Sequence, residues 1–438
     1  VLTQHHSSQR IVRLVVAGLG LLVCVLGVWQ AGRAGLSRLL SEYAVLTLRT
    51  PSPLLAPANE AVALTPNDPN AHFARAALLE RGGLQAEAAS EHERAAALRP
   101  RDYYLWMMLG NSRDELNDEE GALAALSEAV RLAPYYAQPR WQLGNTLFRA
   151  GRADEGFEEM RRAALSNQTL LPNMIDLAWN ASNKDPAATE SLVRPENKQW
   201  RAALAHFFAR KGQSAEALKL YRATGGLAEA ERQVLVSELL SAKGYAEAYE
   251  VWAAVESGSQ TPSPAAGAGH FTNGSFESQL SFSEQGFGWQ FARDPNTLKI
   301  SLDTTEPRAG KFSLRLDWNG NSQPNPPVTS QLLLVEPNTR YRLTFAARTQ
   351  EIVSGVLPFI VVIDKNSADN HALAQSPPLA KGSSSWQDYS LDLTTGSQTR
   401  AVLVGLQRES CGADPCPIFG RLWLDAFSMQ KLSESNSK

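Results

Sequence analysis

At 438 residues, with 43% hydrophobic and 20% charged residues, the chain has room for two or three folded domains and lacks the bias of a disordered polymer. Basic and acidic residues nearly balance, 42 against 45, and no lysine-arginine block is present. Both facts argue against nucleic acid as a partner.

The first predicted element is an anchor. From Leu14 to Gly32 no residue is charged, and Arg13 and Arg33 bracket the run. At about 1.5 Å per residue a helix of this length reaches roughly across a bilayer's hydrocarbon core. Trp29 falls near one end, where an interfacial indole is favoured. The pattern predicts a short tail over 1–13 and a single-pass transmembrane anchor over 14–32. A cleaved signal peptide is the other reading, but its exit would be Gly32-Arg33-Ala34, a poor cleavage site. Arg10 and Arg13 precede the run while Arg33 and Arg38 come after it, so charge leaves the orientation open.

Next comes a repeat of fixed length. Pro66, Pro100 and Pro134 recur every 34 residues, as do Ala61, Ala95, Ala129 and Ala163. Gly110 with Gly144, and Ala88 with Ala122, keep the same interval. A period of this size predicts stacked helical hairpins with a shared core and a long groove. Trp106, Leu109 and Gly110 fall on one predicted helix, and Ala122, Leu126 and Ala129 on the next. Small residues let the two approach; large ones fill the space between them. Pro134 then ends the second helix, because proline lacks the amide and blocks continuation.

These residues resemble the tetratricopeptide repeat. Trp106-x-x-Leu109-Gly110, followed by Ala122, Ala129 and Pro134, is close to the full pattern of that family. Three repeats span about 69–168, with a lone capping helix expected near 53–65. The period is lost between 169 and 197. It returns at Gly212 with Ala217 and Tyr221, and at Gly244-Tyr245 with Ala248 and Trp252. The helical array is therefore drawn over 50–256. The resemblance implies that first helices line a concave face that binds a protein partner. That face would carry Tyr104, Met107, Asn111 and Asp114, then Gln138, Trp141, Asn145, Phe148 and Arg149. Asn111 and Asn145 are one period apart, and an asparagine can both donate to and accept from a peptide backbone. Trp106 is assigned to the inter-helix core. Phe73 and Ala77 stand where a carboxylate clamp would want lysine and asparagine, so no such clamp is expected.

Residues 257–268 have the Gly/Ser/Pro/Ala composition of a flexible tether. Beyond them the period changes to two. Phe312, Leu314, Leu316 and Trp318 alternate with polar residues, as do Tyr341, Leu343 and Phe345. Phe359 to Ile363 is apolar on both faces, and Val402, Val404, Leu406 and Leu422-Trp-Leu424 come later. This predicts an antiparallel sandwich or jelly roll over 269–433. Cys411 and Cys416 frame a Gly-Ala-Asp-Pro turn. They could be a local disulfide, two reduced thiols or half of a metal site. No partner pair for zinc exists, so a disulfide and an oxidising compartment are expected.

The order of Asn273-Gly-Ser-Phe276-Glu277, Gly288-Trp289, Ala309 to Leu314, Pro337 to Tyr341, Trp386 to Tyr389 and Trp423-Leu-Asp425 resembles carbohydrate-binding modules with a galactose-binding-like jelly roll. The resemblance implies a glycan ligand held on an aromatic platform, for which Trp289, Trp318 and Trp386 are available; each of them reads first as a core residue, Trp318 by its alternation phase. It also implies a structural calcium, with Glu277 and Asp425 supplying carboxylates and Lys311 a backbone carbonyl. The family usually has aspartate where this chain has Ala426.

No phosphate-binding glycine loop, nucleophile elbow, dinucleotide fingerprint or zinc-helix motif is present, and the seven histidines are scattered. The fold class expected is multidomain α and β: a transmembrane helix, a tetratricopeptide solenoid and a C-terminal antiparallel jelly roll. The function expected is a non-catalytic, membrane-anchored adaptor with periplasmic or extracellular domains. Its repeats would hold protein and its jelly roll would touch glycan or envelope polymer, in surface polysaccharide assembly or export. The alternatives are an envelope scaffold whose two domains both bind protein, and a glycan-processing enzyme with an unrecognised site. Apart from calcium, no cofactor is expected.

Overall fold

The computed structural model describes residues 2–50, 53–254, 268–283, 285–292, 297–321, 327–412 and 416–432, without side chains for 2–12 and 321. The chain divides into two compact units, Val1–Arg194 and Pro195–Lys438.

The first unit opens with α1 (Leu2–Thr47), which is long and apolar enough to cross a membrane. No break separates the predicted tail from the anchor, and the helix runs on without interruption past Gly32. The last third of α1 buries Ser37, Ser41, Ala44 and Thr47 against α2 (Leu55–Leu64) and α3 (Pro69–Arg81). Ser37 Oγ donates to the Ala61 carbonyl at 3.0 Å, and the Arg33 guanidinium donates to the Leu64 carbonyl. Ala44 packs with Ala58 and Leu78. The lone capping helix expected near 53–65 is therefore half of a hairpin, and the array starts inside α1, ahead of residue 50. The sequence hid this because the buried face is made of small and hydroxyl residues, which leave no hydrophobic stripe.

Three hairpins come next: α3 with α4 (Gln85–Leu98), α5 (Tyr103–Glu115) with α6 (Glu119–Leu132), and α7 (Ala137–Arg149) with α8 (Ala153–Ser166). Asp68, Asp102 and Asp118 cap α3, α5 and α6, accepting from backbone amides at 2.9, 3.1 and 3.0 Å. Pro66, Pro100 and Pro134 stand in or beside the turns between hairpins. The repeated glycines set the helix spacing. A Cβ on Gly110 would lie 2.6 Å from Leu126 Cγ, and one on Gly144 would lie 2.8 Å from the Gly156 carbonyl oxygen. Where the period is lost, a 3-10 turn (Gln168–Leu170) leads into α9 (Leu171–Ala181) and the short α10 (Pro186–Val193).

The second unit begins with two more hairpins, α11 (Lys198–Arg210) with α12 (Ser214–Thr224) and α13 (Glu229–Ser241) with α14 (Tyr245–Ala253). They turn at Gly212 and Gly244, where the weak repeats were expected. The strands are β1 (Gln290–Phe291), β2 (Leu298–Asp303), β3 (Ser313–Asn321), β4 (Thr329–Leu334), β5 (Arg340–Ser354), β6 (Phe359–Asp364), β7 (Ala372–Gln375), β8 (Gly382–Thr394), β9 (Ala401–Gln407) and β10 (Pro417–Lys431). They form two five-stranded sheets, in the orders β1-β4-β9-β6-β7 and β2-β3-β10-β5-β8, with the pairs antiparallel. The expected alternation holds: Leu314, Leu316, Trp318, Leu343, Phe345, Val404, Leu422 and Leu424 all join the core between the sheets.

Residues 257–267 of the predicted tether lie outside the described residues. On either side of them the chain is docked. Tyr249 and Trp252 of α14 place their rings 5.0 and 5.8 Å from that of Phe287. The Tyr245 hydroxyl donates to the Lys365 carbonyl at 2.7 Å, and Lys243 Nζ to the Asn366 carbonyl at 2.9 Å. Gly286 makes room for this contact, since a Cβ there would lie 2.2 Å from the Trp252 ring. The sandwich thus packs on the last hairpin instead of hanging from a tether. Aromatics that read as repeat positions in α14 turn out to make the seam.

Candidate functional site

Two places carry residues singled out from the sequence, and a third lies outside that reading. The first is the exposed face of α5 and α7. Tyr104 is 40% exposed and rests its ring 5.7 Å from that of Phe73 on α3. Asn111, Trp141 and Asn145 are half-buried, and neither asparagine side chain bonds to another described residue. Arg149 is exposed and pairs with Asp114 one repeat back. Its guanidinium also donates to Thr146 Oγ1 at 3.2 Å. Met107 corrects the expectation. It is 0% exposed and packs with Leu126, Ala129, Leu143 and Leu147, because the next hairpin covers it. Trp141 holds the same repeat position on α7 and is only half covered, next to the region where the period fails. Phe148 turns toward its own hairpin and packs edge-on against the buried Phe157 at 5.8 Å. Trp106 is also half-buried. It packs beside Leu105 and Met107, and its indole N–H donates to the Pro100 carbonyl at 3.0 Å.

The second place is the pair of acids that meet the 308–312 loop. Glu277 Oε1 accepts from the amides of Lys311 and Phe312 at 2.9 and 3.1 Å. Asp425 is fully buried, and its Oδ2 accepts from the amides of Arg308 and Ala309 at 2.9 and 3.0 Å. Its Oδ1 accepts from Ala426 N at 2.6 Å. A register shift in β10 and the left-handed Ala426 (φ 57°) aim Asp425 inward. Burial holds the Asp425 carboxyl above the ordinary carboxylate range against these amides, and the Glu277 charge adds to the rise. The loop thus presents N–H groups to both carboxylates. Lys311 contributes its amide where the resemblance implied its carbonyl. Calcium needs six to eight oxygens. Among the described residues no group of three His, Cys, Asp or Glu side chains could hold a metal ion. As folded, the two acids act as caps for the 308–312 loop.

The third place was missed. On the outer face of the second sheet, Ser301, Arg315, Trp423 and Arg348 stand in one continuous register row. The Arg348 and Arg315 guanidinium carbons lie 4.1 and 5.5 Å from the Trp423 ring centre, on which they can make cation–π contacts. Arg348 also lies 5.8 Å from the ring of Trp386, whose N–H donates to the Glu306 carbonyl at 2.9 Å. Trp289 and Trp318 are in the core, at 6% and 4% exposure, while Trp386 reaches the surface. The signal was available: Arg421 and Trp423 alternate out of phase with Leu422 and Leu424. The carboxylate of Asp303 closes the row, accepting from Trp423 Nε1 at 2.8 Å. Cys411 and Cys416 are joined as a disulfide, with Cα atoms 5.5 Å apart. His72, His92 and His206 bond to Glu91, Glu80 and Glu238 respectively. Each pair lies within the helical layer, where it holds helices together.

No family model matches the chain, and no curated protein matches it. Solved structures do show similarity. One is MamA 41-end from Desulfovibrio magneticus RS-1, 20% identical, covering 37% of this chain and 97% of that chain with a TM-score of 0.33. Another is YrrB, described as a TPR protein with an unusual peptide-binding site, 18% identical over 32% of this chain and 77% of that one, TM-score 0.28. A third is the CBM22-1 xylan-binding domain from Paenibacillus barcinonensis Xyn10C, 16% identical over 39% and 100%, TM-score 0.27.

Proposed function

We propose that this chain is a non-catalytic adaptor, anchored in a membrane by residues 14–32, whose helical repeats hold an extended protein segment and whose sandwich contacts glycan or envelope polymer. The observation that carries the reading is the face of α5 and α7. Asn111 and Asn145 stand one repeat apart with side-chain amides bonded to no other described residue, beside the half-open Trp141 and Tyr104. A peptide backbone laid along that face would satisfy both amides. Trp386, flanked by Arg348 and the Glu306 carbonyl, supports the glycan half: an indole face with polar neighbours suits a sugar ring. The disulfide supports an oxidising, extracytoplasmic location for the soluble domains. A role in assembling or exporting surface polysaccharide rests on this pairing of domains.

The test uses the full chain in two assays. Affinity electrophoresis in gels containing envelope polysaccharides should show retardation that Trp386→Ala removes. Pull-down from envelope extract should recover a partner that Asn145→Ala loses, with the melting curve unchanged. Absence of retardation with every polymer, alongside retained protein capture, would favour a scaffold whose two domains both bind protein.

A further inference from the structure

The unbroken α1 fixes where the array stands relative to a bilayer, and this rests on the reading of 14–32 as a membrane span. Arg33, the first residue past the apolar run, donates to the carbonyl of Leu64, the last residue of α2. The turn at 65–68 is therefore level with the end of the span. Helices alternate in direction from there, so the turns at 99–102 and 133–136 return to the same edge. The opposite turns, at 82–84, 116–118 and 150–152, stand one helix away. For the 13-residue helices α3, α5 and α7 that is about 20 Å.

The two edges differ in chemistry. The near edge carries Arg94, Arg99 and Arg101, all exposed, and Arg94 leans over the first turn to Asn67 at 3.4 Å. Of the acids in these turns, Asp68 caps α3, and Asp102 caps α5 while pairing with Arg99 at 3.5 Å, which leaves Arg101 as the centre of the basic edge. It also carries Tyr135, 86% exposed, and Tyr136, whose ring meets that of Tyr103 at 5.1 Å. At 115–120 the far edge instead carries Glu115, Asp118, Glu119 and Glu120; its other turns carry the exposed Arg81, Arg149 and Arg152, the last two paired with Asp114 and Glu155. Arginine attracts anionic headgroups, and tyrosine favours the bilayer interface. We infer that the near edge of the array, centred on Arg101 and Tyr135, rests on the lipid headgroups, with the far edge held away from the surface by the rigid strut of α1.

The experiment places one fluorophore at a time on the full chain in vesicles of phosphatidylethanolamine and phosphatidylglycerol. With Cys24→Ala and the Cys411–Cys416 bond kept, single cysteines are introduced by Arg101→Cys or Tyr135→Cys on the near edge. Glu120→Cys or Asp154→Cys serves on the far edge. All four positions lie at turns or helix starts outside the core, so folding is spared. Headgroup spin-labelled lipid should quench both near-edge labels at least twofold more than either far-edge label. Equal quenching at the two edges, in chain that floats with the vesicles and resists carbonate extraction, overturns the edge contact and leaves the anchor standing. Chain that stays soluble overturns the anchor itself, and the contact with it.

Discussion

Asp303 shows how one side chain holds the outer row of the sandwich. Burial would raise its carboxyl, but donors win: Thr305 N and Oγ1 at 2.8 and 2.7 Å, Trp423 Nε1, and the nearby Arg315 hold it well below the usual carboxylate range. A depressed folded-state value contributes stability that is present above the ordinary carboxylate range and lost as pH falls through the folded value. Asp303→Asn is therefore expected to destabilise by about 1–3 kcal/mol at neutral pH. Its deficit against the native chain should shrink as melts are repeated toward pH 2. A deficit that stays constant with pH would mean that the hydrogen-bonding shape of Asp303, and not its charge, holds the row. In the array, Trp106→Ala should lower stability by about 3 kcal/mol through lost packing. Asn145→Ala should leave the melting temperature nearly unchanged, because its side chain has no described partner to lose. Calorimetry on the two variants checks both. Met107 teaches the opposite lesson. Its repeat position read as groove, yet coverage by Leu143 and Leu147 of the next hairpin put it in the core.

At the scale of elements, the hairpins were legible because the small-residue positions recur at the repeat period. Gly144→Ala tests that reading. The added Cβ would meet the Gly156 carbonyl oxygen and Met160 Cγ at 2.8 Å, so α7 and α8 must separate. The expected loss is about 1–3 kcal/mol, read from chemical denaturation. An unperturbed midpoint would show that the hairpin has slack which the close approach conceals. The strands were legible through alternation, and the phase of Trp318 already assigned it to the core. The α1–α2 hairpin was not legible. Ser37, Ser41, Ala44 and Thr47 are buried at helical spacing, but hydroxyl and methyl groups do not register as an apolar stripe. The row at Trp423 is written in the alternation of β10, where Arg421 and Trp423 fall out of phase with the core Leu422 and Leu424.

At the scale of the molecule, the seam between α14 and the sandwich makes a definite demand. Phe287 buries its ring against Tyr249 and Trp252. Residues 195–438 should therefore melt above the fragment 268–438, and Trp252→Ala should erode the difference. Equal melting of the two fragments would show the sandwich to be self-sufficient and the seam to be weak. In cells, protease added to spheroplasts should digest the soluble domains if 14–32 spans the membrane with 33–438 outside; full protection would sink that topology. The sequence by itself determined the kinds of element and their order: an apolar helix, a 34-residue hairpin repeat, and strands of period two. Periodicity, caps and turn residues are local properties, recorded residue by residue. Only the tertiary structure decided which faces stay open. Burial depends on pairs far apart in the chain. Met107 is closed by the hairpin after it, Trp386 is left at the surface, and the 308–312 amides are drawn onto Glu277 and Asp425. The same non-local pairing joined α1 to α2 and so carried the N-terminal apolar helix into the array without a hinge.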